Sequence, residues 1–133
     1  MIRNKQLMSQ IIDFNGMLYG KCRPTDIDLS MDFNKECFIF TELKYRGTAL
    51  TIGQRIHLMG LVDAIEAGGR QAYAIVAWHT TASDEDIQAG ESMVKNVYTE
   101  GAWHRQEEVT LDMYIQAVHT AYLTEKQEQQ NDS

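Results

Sequence analysis

The chain has few of the residues that mark disulfide-rich or membrane proteins. Its 133 residues include two cysteines and one proline. Cys22 and Cys37 do not form a CxxC pair, so neither a disulfide framework nor a zinc site is indicated. No apolar run approaches the roughly 18 residues that a membrane span needs. Residues 1–5 are not followed by the apolar stretch of a signal peptide, so we predict a cytoplasmic protein without a membrane partner.

Basic residues are also scarce. Twelve lysines and arginines stand against nineteen acidic residues, which gives a net charge of -7. Residues 61–133 carry four of the basic and thirteen of the acidic residues, whereas residues 20–60 carry six and five. Because phosphate contacts come from lysine and arginine, the overall charge disfavours tight binding of duplex DNA. The central segment is close to neutral, and a bound metal ion would make it positive.

Hydrophobic periodicity predicts an α/β domain. The apolar fraction of 44% and the charged fraction of 23% are typical of a globular chain. Apolar spacing predicts helices over residues 6–17, 50–67 and 109–123, and strands over residues 26–33, 37–43, 72–78 and 92–99. This order predicts one domain over residues 1–124, with a central mixed sheet flanked by helices and a C-terminal helix. A polar tail is expected over residues 125–133.

Acidic residues occur where two neighbouring strands are predicted. Asp26 and Asp28 alternate with apolar residues on the first strand, and Glu42 and Lys44 follow the buried run of the second. If these strands pair through a turn at residues 34–36, Asp28 and Glu42 become cross-strand neighbours about 5 Å apart. Two carboxylates this close repel unless a cation lies between them, and hard oxygen ligands suit Mg²⁺ or Mn²⁺. With Lys44 beside the metal ion, the pattern indicates metal-assisted phosphodiester hydrolysis.

The same residues resemble the motif of a known nuclease superfamily. The motif is the PD-(D/E)xK signature of the restriction-endonuclease-like superfamily, and the similar segments are Pro24-Thr25-Asp26-Ile27-Asp28 and Glu42-Leu43-Lys44. Residues 50–55 and the predicted helix behind them are similar to the segment after ExK in virus-type replication–repair nuclease domains and archaeal Holliday-junction resolvases. The first segment, with the preceding arginine, is also similar to small proteins of bacteriophages and prophages.

This resemblance implies a fold, an activity and a set of functional residues. The implied fold is the αβββαβ core of the superfamily, and the implied activity is a Mg²⁺- or Mn²⁺-dependent endonuclease acting on branched or single-stranded DNA. A homodimer is expected by analogy, because small chains of this fold commonly need a partner to grip a duplex. The catalytic candidates are Asp28, Glu42, Lys44 and Gln54; the metal-ligand candidates are Asp26, Asp28 and Glu42; and the candidates for phosphate contacts are Arg46 and Arg55.

Several alternatives remain open from the sequence. Either Asp26 or Asp28 could be the motif aspartate. Gln54 could belong to the metal site, or it could cap a helix in a capping box with Thr51. The predicted first helix lacks the glutamate that many superfamily members have, which leaves a second metal ion in doubt. Trp78 and Trp103 are expected in the core. The acidic second half suits an alternative function, that of a nuclease-fold module that binds or assembles without catalysis.

Overall fold

The structure, a computed structural model, describes residues 10–131 and has a five-stranded sheet and two helices in that range. The strands are β1 (Leu29–Phe33), β2 (Cys37–Tyr45), β3 (Gln71–His79), β4 (Met93–Thr99) and β5 (Ala102–Arg105). Helix α1 (Ile52–Ala67) connects β2 to β3, a short 3-10 helix (Ala89–Glu91) precedes β4, and helix α2 (Leu111–Asn131) follows β5. The predicted α/β class, mixed sheet and C-terminal helix are confirmed.

The strands lie side by side in the order in which they occur along the chain. β2 and β3 are parallel, and the other neighbouring pairs are antiparallel. A parallel pair needs a crossover connection, and α1 supplies it. This arrangement explains why β2 and β3 are rich in consecutive apolar residues: they lie inside the sheet and are covered on both faces.

Each helix covers one face of the sheet. On one face, Leu58 and Val62 of α1 pack in a cluster that includes Phe40 and Ala74. On the other face, α2 contributes a second cluster, in which Leu111, Val118 and Tyr122 pack with Ile39, Ile75 and Val97. Because successive residues of a strand point to opposite faces, each central strand supplies alternate side chains to the two clusters.

The turn between β1 and β2 fixes how these strands pair. Three residues, 34–36, connect the strands, since Phe33 pairs with Cys37, and two of them, Asn34 and Lys35, have positive φ angles of 57° and 60°. The Glu36 N–H donates to the Phe33 carbonyl at 3.0 Å, and the Lys35 N–H donates to the Asp32 carboxylate at 2.5 Å. The predicted turn is confirmed, and its tight geometry sets the register of the hairpin.

β1 begins later than the sequence predicts. The predicted strand starts at residue 26, whereas the observed strand starts at Leu29. The backbone N–H of Leu43 donates to the Asp28 side chain at 2.7 Å. A carboxylate thus occupies a donor that a continued ladder would use, and the pairing stops there. Asp26 and Asp28 therefore lie just before β1.

The helix predicted over residues 6–17 is not observed in its described part. Residues 6–9 lie outside the described residues, and residues 10–17 contain a turn but no helix. Ile11 and Ile12 are 88% and 82% exposed, so these two side chains of the predicted apolar face make little packing contact. Gly16 adopts a positive φ of 84°. A helix this short is marginal in water without tertiary packing, and its spacing alone does not stabilise it.

Residues 125–131 of the predicted polar tail belong instead to α2, and residues 132 and 133 lie outside the described residues. The expected helix ends at residue 123, but the observed one continues to Asn131. Side-chain bonds to the start of the two central strands hold the extra turns: Gln71 Nε2 donates to Glu125 at 2.6 Å, and Lys126 Nζ donates to Glu36 at 2.7 Å. Although α2 has 21 residues, no helix within residues 10–131 is long and apolar enough to cross a membrane.

β5 was not predicted. It has four residues, most of them exposed, which is too short for periodicity to detect. Its signal is the turn before it, which the sequence does predict: Glu100 and Gly101 have positive φ angles of 51° and 79°, as a two-residue hairpin turn requires.

Replacing Leu58 with alanine tests the packing of α1 on the sheet. Leu58 is 2% exposed, so Leu58→Ala should lower the free energy of unfolding by about 2–5 kcal/mol through lost burial and the cavity left behind. Urea denaturation followed by circular dichroism measures this change. The matched control is Ile56→Ala on the same helix, where the side chain is 65% exposed and the change should stay within about 0.5 kcal/mol. Equal effects at both positions would contradict the observed face of α1.

Candidate functional site

Glu42 lies near the end of β2, on the sheet face that α1 covers. It is 5% exposed and is one of the few buried acidic or polar residues within the described range. Lys44 projects from the same face, since it is two residues further along the strand. Lys44 Nζ lies 3.8 Å from Glu42 Oε1, and its side chain is 18% exposed. The ExK residues thus form a largely buried ion pair beside the first turn of α1.

Gln54 joins Glu42 to the start of α1. Gln54 Nε2 donates to Glu42 Oε1 at 3.2 Å. The same side chain accepts from the Thr51 N–H through Oε1 at 3.1 Å, and the Gln54 N–H donates to Thr51 Oγ1 at 3.1 Å. These two bonds are the reciprocal pair of a capping box. The capping box is confirmed, and the nitrogen of the same amide group also contacts the buried carboxylate of Glu42. A place for Gln54 in a metal site stays a prediction.

Asp28 reaches the same place from the opposite side of the hairpin. Leu29 pairs with Thr41, so the register places Asp28 opposite Glu42, as expected from their equal distance from the turn. The Asp28 carboxylate accepts the Leu43 N–H through Oδ2, which engages one of its two oxygens and holds the side chain against β2.

The surroundings of Glu42 disfavour its charge. Burial raises the pKa of the Glu42 carboxyl from its ordinary value of 4.5 to about 7, and repulsion and hydrogen bonding from Asp28 act in the same direction. Lys44 lowers this pKa, but it only partly offsets burial. A carboxyl group held in this way, next to a second carboxylate, favours a proton or a cation between the two.

Asp26 is exposed and lies two residues before Asp28, and its charge raises the pKa of Glu42 less than the charge of Asp28 does. Within residues 10–131, no group of three or more His, Cys, Asp or Glu side chains is arranged to hold a metal ion. The hairpin register brings two carboxylates together, those of Asp28 and Glu42. Two carboxylates would suit Mg²⁺, since this ion commonly takes one or two and completes its shell with water and phosphate oxygens. Asp26 as a further ligand stays a prediction.

The two arginine candidates are both exposed and have different neighbours. Arg46 follows β2 and is exposed, and its backbone N–H donates to the His79 carbonyl at 2.9 Å. Arg55 is also exposed, one residue after Gln54 on α1, and its guanidinium carbon lies 5.6 Å from the centre of the Trp103 ring. The structure thus places Arg55 beside an aromatic side chain that was not assigned to the site.

The expectation that both tryptophans belong to the core is only partly met. Trp78 and Trp103 are each half-buried, and both line a cleft on the α1 face of the sheet. Trp78 pairs with Lys44 in the β2–β3 register, which sequence reasoning could have noted from the predicted parallel strands. The position of Trp103 could not be predicted from the sequence, because Trp103 lies on the unpredicted strand β5.

Comparisons with known proteins found no match to this chain. No protein-family model matches the chain, and neither a curated protein nor a solved structure matches it. The resemblance to the PD-(D/E)xK motif therefore depends on the residues quoted above and on their geometry.

Replacing Glu42 with glutamine tests the raised pKa. The folded chain holds the Glu42 proton up to about pH 7, whereas the unfolded chain loses it near the ordinary pKa of 4.5. The unfolded state therefore binds fewer protons between these values, and the contribution of Glu42 to stability falls as the pH rises through this window. Without divalent metal, Glu42→Gln should gain thermal stability relative to wild type between pH 5 and pH 8, measured by scanning calorimetry.

The matched control is Glu107→Gln, because the Glu107 side chain is 70% exposed. Its melting temperature relative to wild type should change little over the same pH range. A difference between Glu42→Gln and wild type that is the same at pH 5 and pH 8 would show that the Glu42 carboxyl is not perturbed.

Proposed function

We propose that the protein is a Mg²⁺-dependent deoxyribonuclease of the PD-(D/E)xK type, which hydrolyses phosphodiester bonds of branched or single-stranded DNA. The observation that carries this proposal is the convergence of three separate segments on one buried carboxyl group. Lys44 approaches Glu42 at 3.8 Å and Gln54 at 3.2 Å, and the hairpin register brings Asp28 opposite. A second carboxylate beside a buried one adds to the cost of its charge, and a purely structural glutamate has no need of such a neighbour.

Asp28 and Glu42 are the residues that would hold the metal ion. A bound Mg²⁺ would supply positive charge that polarises the attacked phosphate and makes a nearby water more acidic. The two carboxylates fit this ion because their mutual repulsion and the raised pKa of Glu42 would both be relieved by a cation.

The protein's own groups account for positioning and charge. Gln54 orients the Glu42 carboxylate through its amide nitrogen, and its bonds to Thr51 fix the amide in turn. Lys44 carries a positive charge next to the site, where it can stabilise the negative charge that develops on the phosphate and orient the attacking water. The Leu43 N–H holds Asp28 in place. Each group is thus positioned by a second interaction before substrate binds.

DNA cleavage assays test this proposal. The wild-type protein is offered linear duplex, single-stranded and four-way-junction DNA with Mg²⁺ or Mn²⁺. We expect cleavage with wild type and a fall in rate of about 100-fold or more in Asp28→Asn, Glu42→Gln and Lys44→Met, since each removes a ligand or a charge at the phosphate. Gel electrophoresis of labelled substrates gives the rates.

Two control variants make this result specific. Asp26→Asn should lower the rate less than Asp28→Asn does, because the charge of Asp26 acts on the Glu42 carboxyl more weakly than the charge of Asp28. Lys21→Ala replaces an exposed lysine outside the site and should behave as wild type. If the double variant Glu42→Ala, Lys44→Ala cleaves DNA at the wild-type rate, the assigned site is wrong.

A second candidate function is a nuclease-fold module that assembles without catalysis. It is favoured by two isoleucines one turn apart on the outer face of α1, Ile52 and Ile56, which are 80% and 65% exposed. The acidic excess of residues 61–133 also suits a protein partner better than DNA. Under this function, a second copy of the chain would bind through these side chains as a homodimer.

Calorimetry and light scattering distinguish the two functions. A catalytic site should bind Mn²⁺ with measurable heat, and Glu42→Gln should remove that heat. An assembly module should show no heat at millimolar Mn²⁺ and should elute as a dimer that Ile52→Glu, Ile56→Glu dissociates. A monomer at high protein concentration that binds Mn²⁺ would exclude the assembly function and the expected homodimer together.

A further inference from the structure

A cleft of about 300 Å³ lies on the α1 face of the sheet, next to the Glu42 site. The loop before α1, the helix itself and strands β3, β4 and β5 form its walls. The lining residues are Thr48, Ala49, Leu50, Arg55, Val76, Trp78, Asn96 and Trp103. Its volume is at the lower end of the range for small-ligand sites, which is enough for one flat ring system but not for a helix.

The strand register fixes how near this cleft lies to the proposed site. β2 and β3 are parallel, with Glu42 paired to Val76 and Lys44 paired to Trp78. Paired residues on neighbouring strands lie about 5 Å apart and project from the same face. Val76 and Trp78 are therefore one strand spacing from Glu42 and Lys44. A nucleotide in the cleft would have its phosphate within reach of the Glu42 site.

A cation lies over each tryptophan of the cleft, Arg55 within the lining and Lys95 outside it. The Arg55 guanidinium lies 5.6 Å from the Trp103 ring centre, and Lys95 Nζ lies 5.1 Å from the Trp78 ring centre. Trp103 also packs against Tyr98, with ring centres 5.3 Å apart. Aromatic rings and arginine planes are the surfaces on which unstacked bases bind, and the cations serve the phosphates.

The cleft also contains hydrogen-bonding groups for a base edge. The Asn96 side chain is exposed at the rim and can both donate and accept. The indole Nε1 of Trp103 is buried without a hydrogen-bond partner within the described structure. An unpaired buried donor costs free energy, and a ligand with an acceptor in the cleft is one way to satisfy it.

Charge and aromatic content together separate this cleft from three larger cavities of the described chain. A cavity of about 500 Å³ beside α2 is lined in part by Glu36 and Glu125, and one of about 430 Å³ after β3 includes Glu85, Asp86 and Glu91. A cavity of about 560 Å³, lined by residues 14–18 with Arg23 and Pro24, has a basic residue and no acidic one, but it contains no tryptophan. The aromatic cleft combines a basic residue, no acidic residue and two tryptophans, which suits a ligand with both a phosphate and a base.

We propose that this cleft binds one unstacked nucleobase of single-stranded DNA, next to the phosphate that the Glu42 site cleaves. The inference rests on the proposed nuclease function and narrows its substrate class. A base enters such a cleft only when it is not paired and stacked, so single-stranded segments bind and uninterrupted duplex does not. Stacking on the tryptophan and arginine surfaces supplies affinity without many phosphate contacts, which agrees with the acidic net charge.

Intrinsic fluorescence tests this proposal directly, because Trp78 and Trp103 are the only tryptophans in the chain. The full chain in EDTA is titrated with a 12-nucleotide oligo-dT and, separately, with a blunt duplex of equal length. EDTA prevents cleavage, so binding is measured without turnover. We expect saturable quenching by the single strand and at least about tenfold weaker binding of the duplex.

Substitutions in the cleft test whether the single strand binds there. Arg55→Ala and Asn96→Ala should each weaken single-strand binding by about tenfold, while Trp78→Leu should weaken it by about tenfold to a hundredfold and Trp78→Phe should retain most of it. The matched control for Arg55→Ala is Arg105→Ala, which removes an equally exposed arginine from outside the cleft lining. Binding of labelled oligonucleotide is followed by anisotropy for the tryptophan variants, and thermal unfolding verifies that each variant is folded.

The outcomes separate this inference from the nuclease proposal. Cleavage by wild type in Mg²⁺ without single-strand quenching in EDTA would overturn the cleft assignment and leave the nuclease intact. Selective quenching that Glu42→Gln retains, with no cleavage by wild type, would support the cleft and overturn the nuclease. Equal binding of duplex and single strand, or equal losses in Arg105→Ala and Arg55→Ala, would show that the cleft does not select an unstacked base.

Discussion

The arrangement of the site follows from the burial of one carboxyl group. Glu42 is 5% exposed at the end of a strand that α1 covers, and burial of this group disfavours its charged form. Two neighbouring groups stabilise the charged form of Glu42: Lys44 supplies a positive charge, and Gln54 donates a hydrogen bond. Asp28 acts in the opposite direction, because a second carboxyl makes a proton or a cation between the two more favourable. A site of this kind changes its charge or its ligand readily, which is what metal-assisted hydrolysis needs.

Secondary structure around Glu42 is adapted to the same constraint. The first turn of α1 uses Gln54 for a capping box and for a contact to the carboxylate, so helix initiation and site geometry depend on one amide. On the other side, Asp28 ends the β1–β2 ladder by taking the Leu43 N–H. A strand that continued to residue 26 would use that donor for backbone pairing. The interrupted ladder is therefore what lets Asp28 lie against β2 opposite Glu42.

The aromatic cleft and the carboxyl site share one sheet face because β2 and β3 are parallel and in register. If the cleft takes an unstacked base, the protein gains affinity from ring surfaces where its acidic composition limits affinity from phosphate contacts. Duplex DNA would then be a poor ligand, because its bases are not free to stack on the rings and its phosphates meet an acidic protein. The exposed isoleucines of α1 are a separate feature, on the outer side of the helix, and belong to neither site.

Local signals in the sequence are enough to place the central elements and the charged residues at the end of β2. The long apolar runs of β2 and β3, the periodic face of α1 and the turn before β2 have strong local signals, so Glu42, Lys44 and Gln54 could be placed before the structure was known. Tertiary structure decided the rest. It left residues 10–17 without a helix, with Ile11 and Ile12 largely exposed, and it extended α2 to Asn131 through bonds to the start of the central strands. It also brought Trp103 to the cleft through β5. These outcomes depend on contacts between distant residues, which local spacing does not encode.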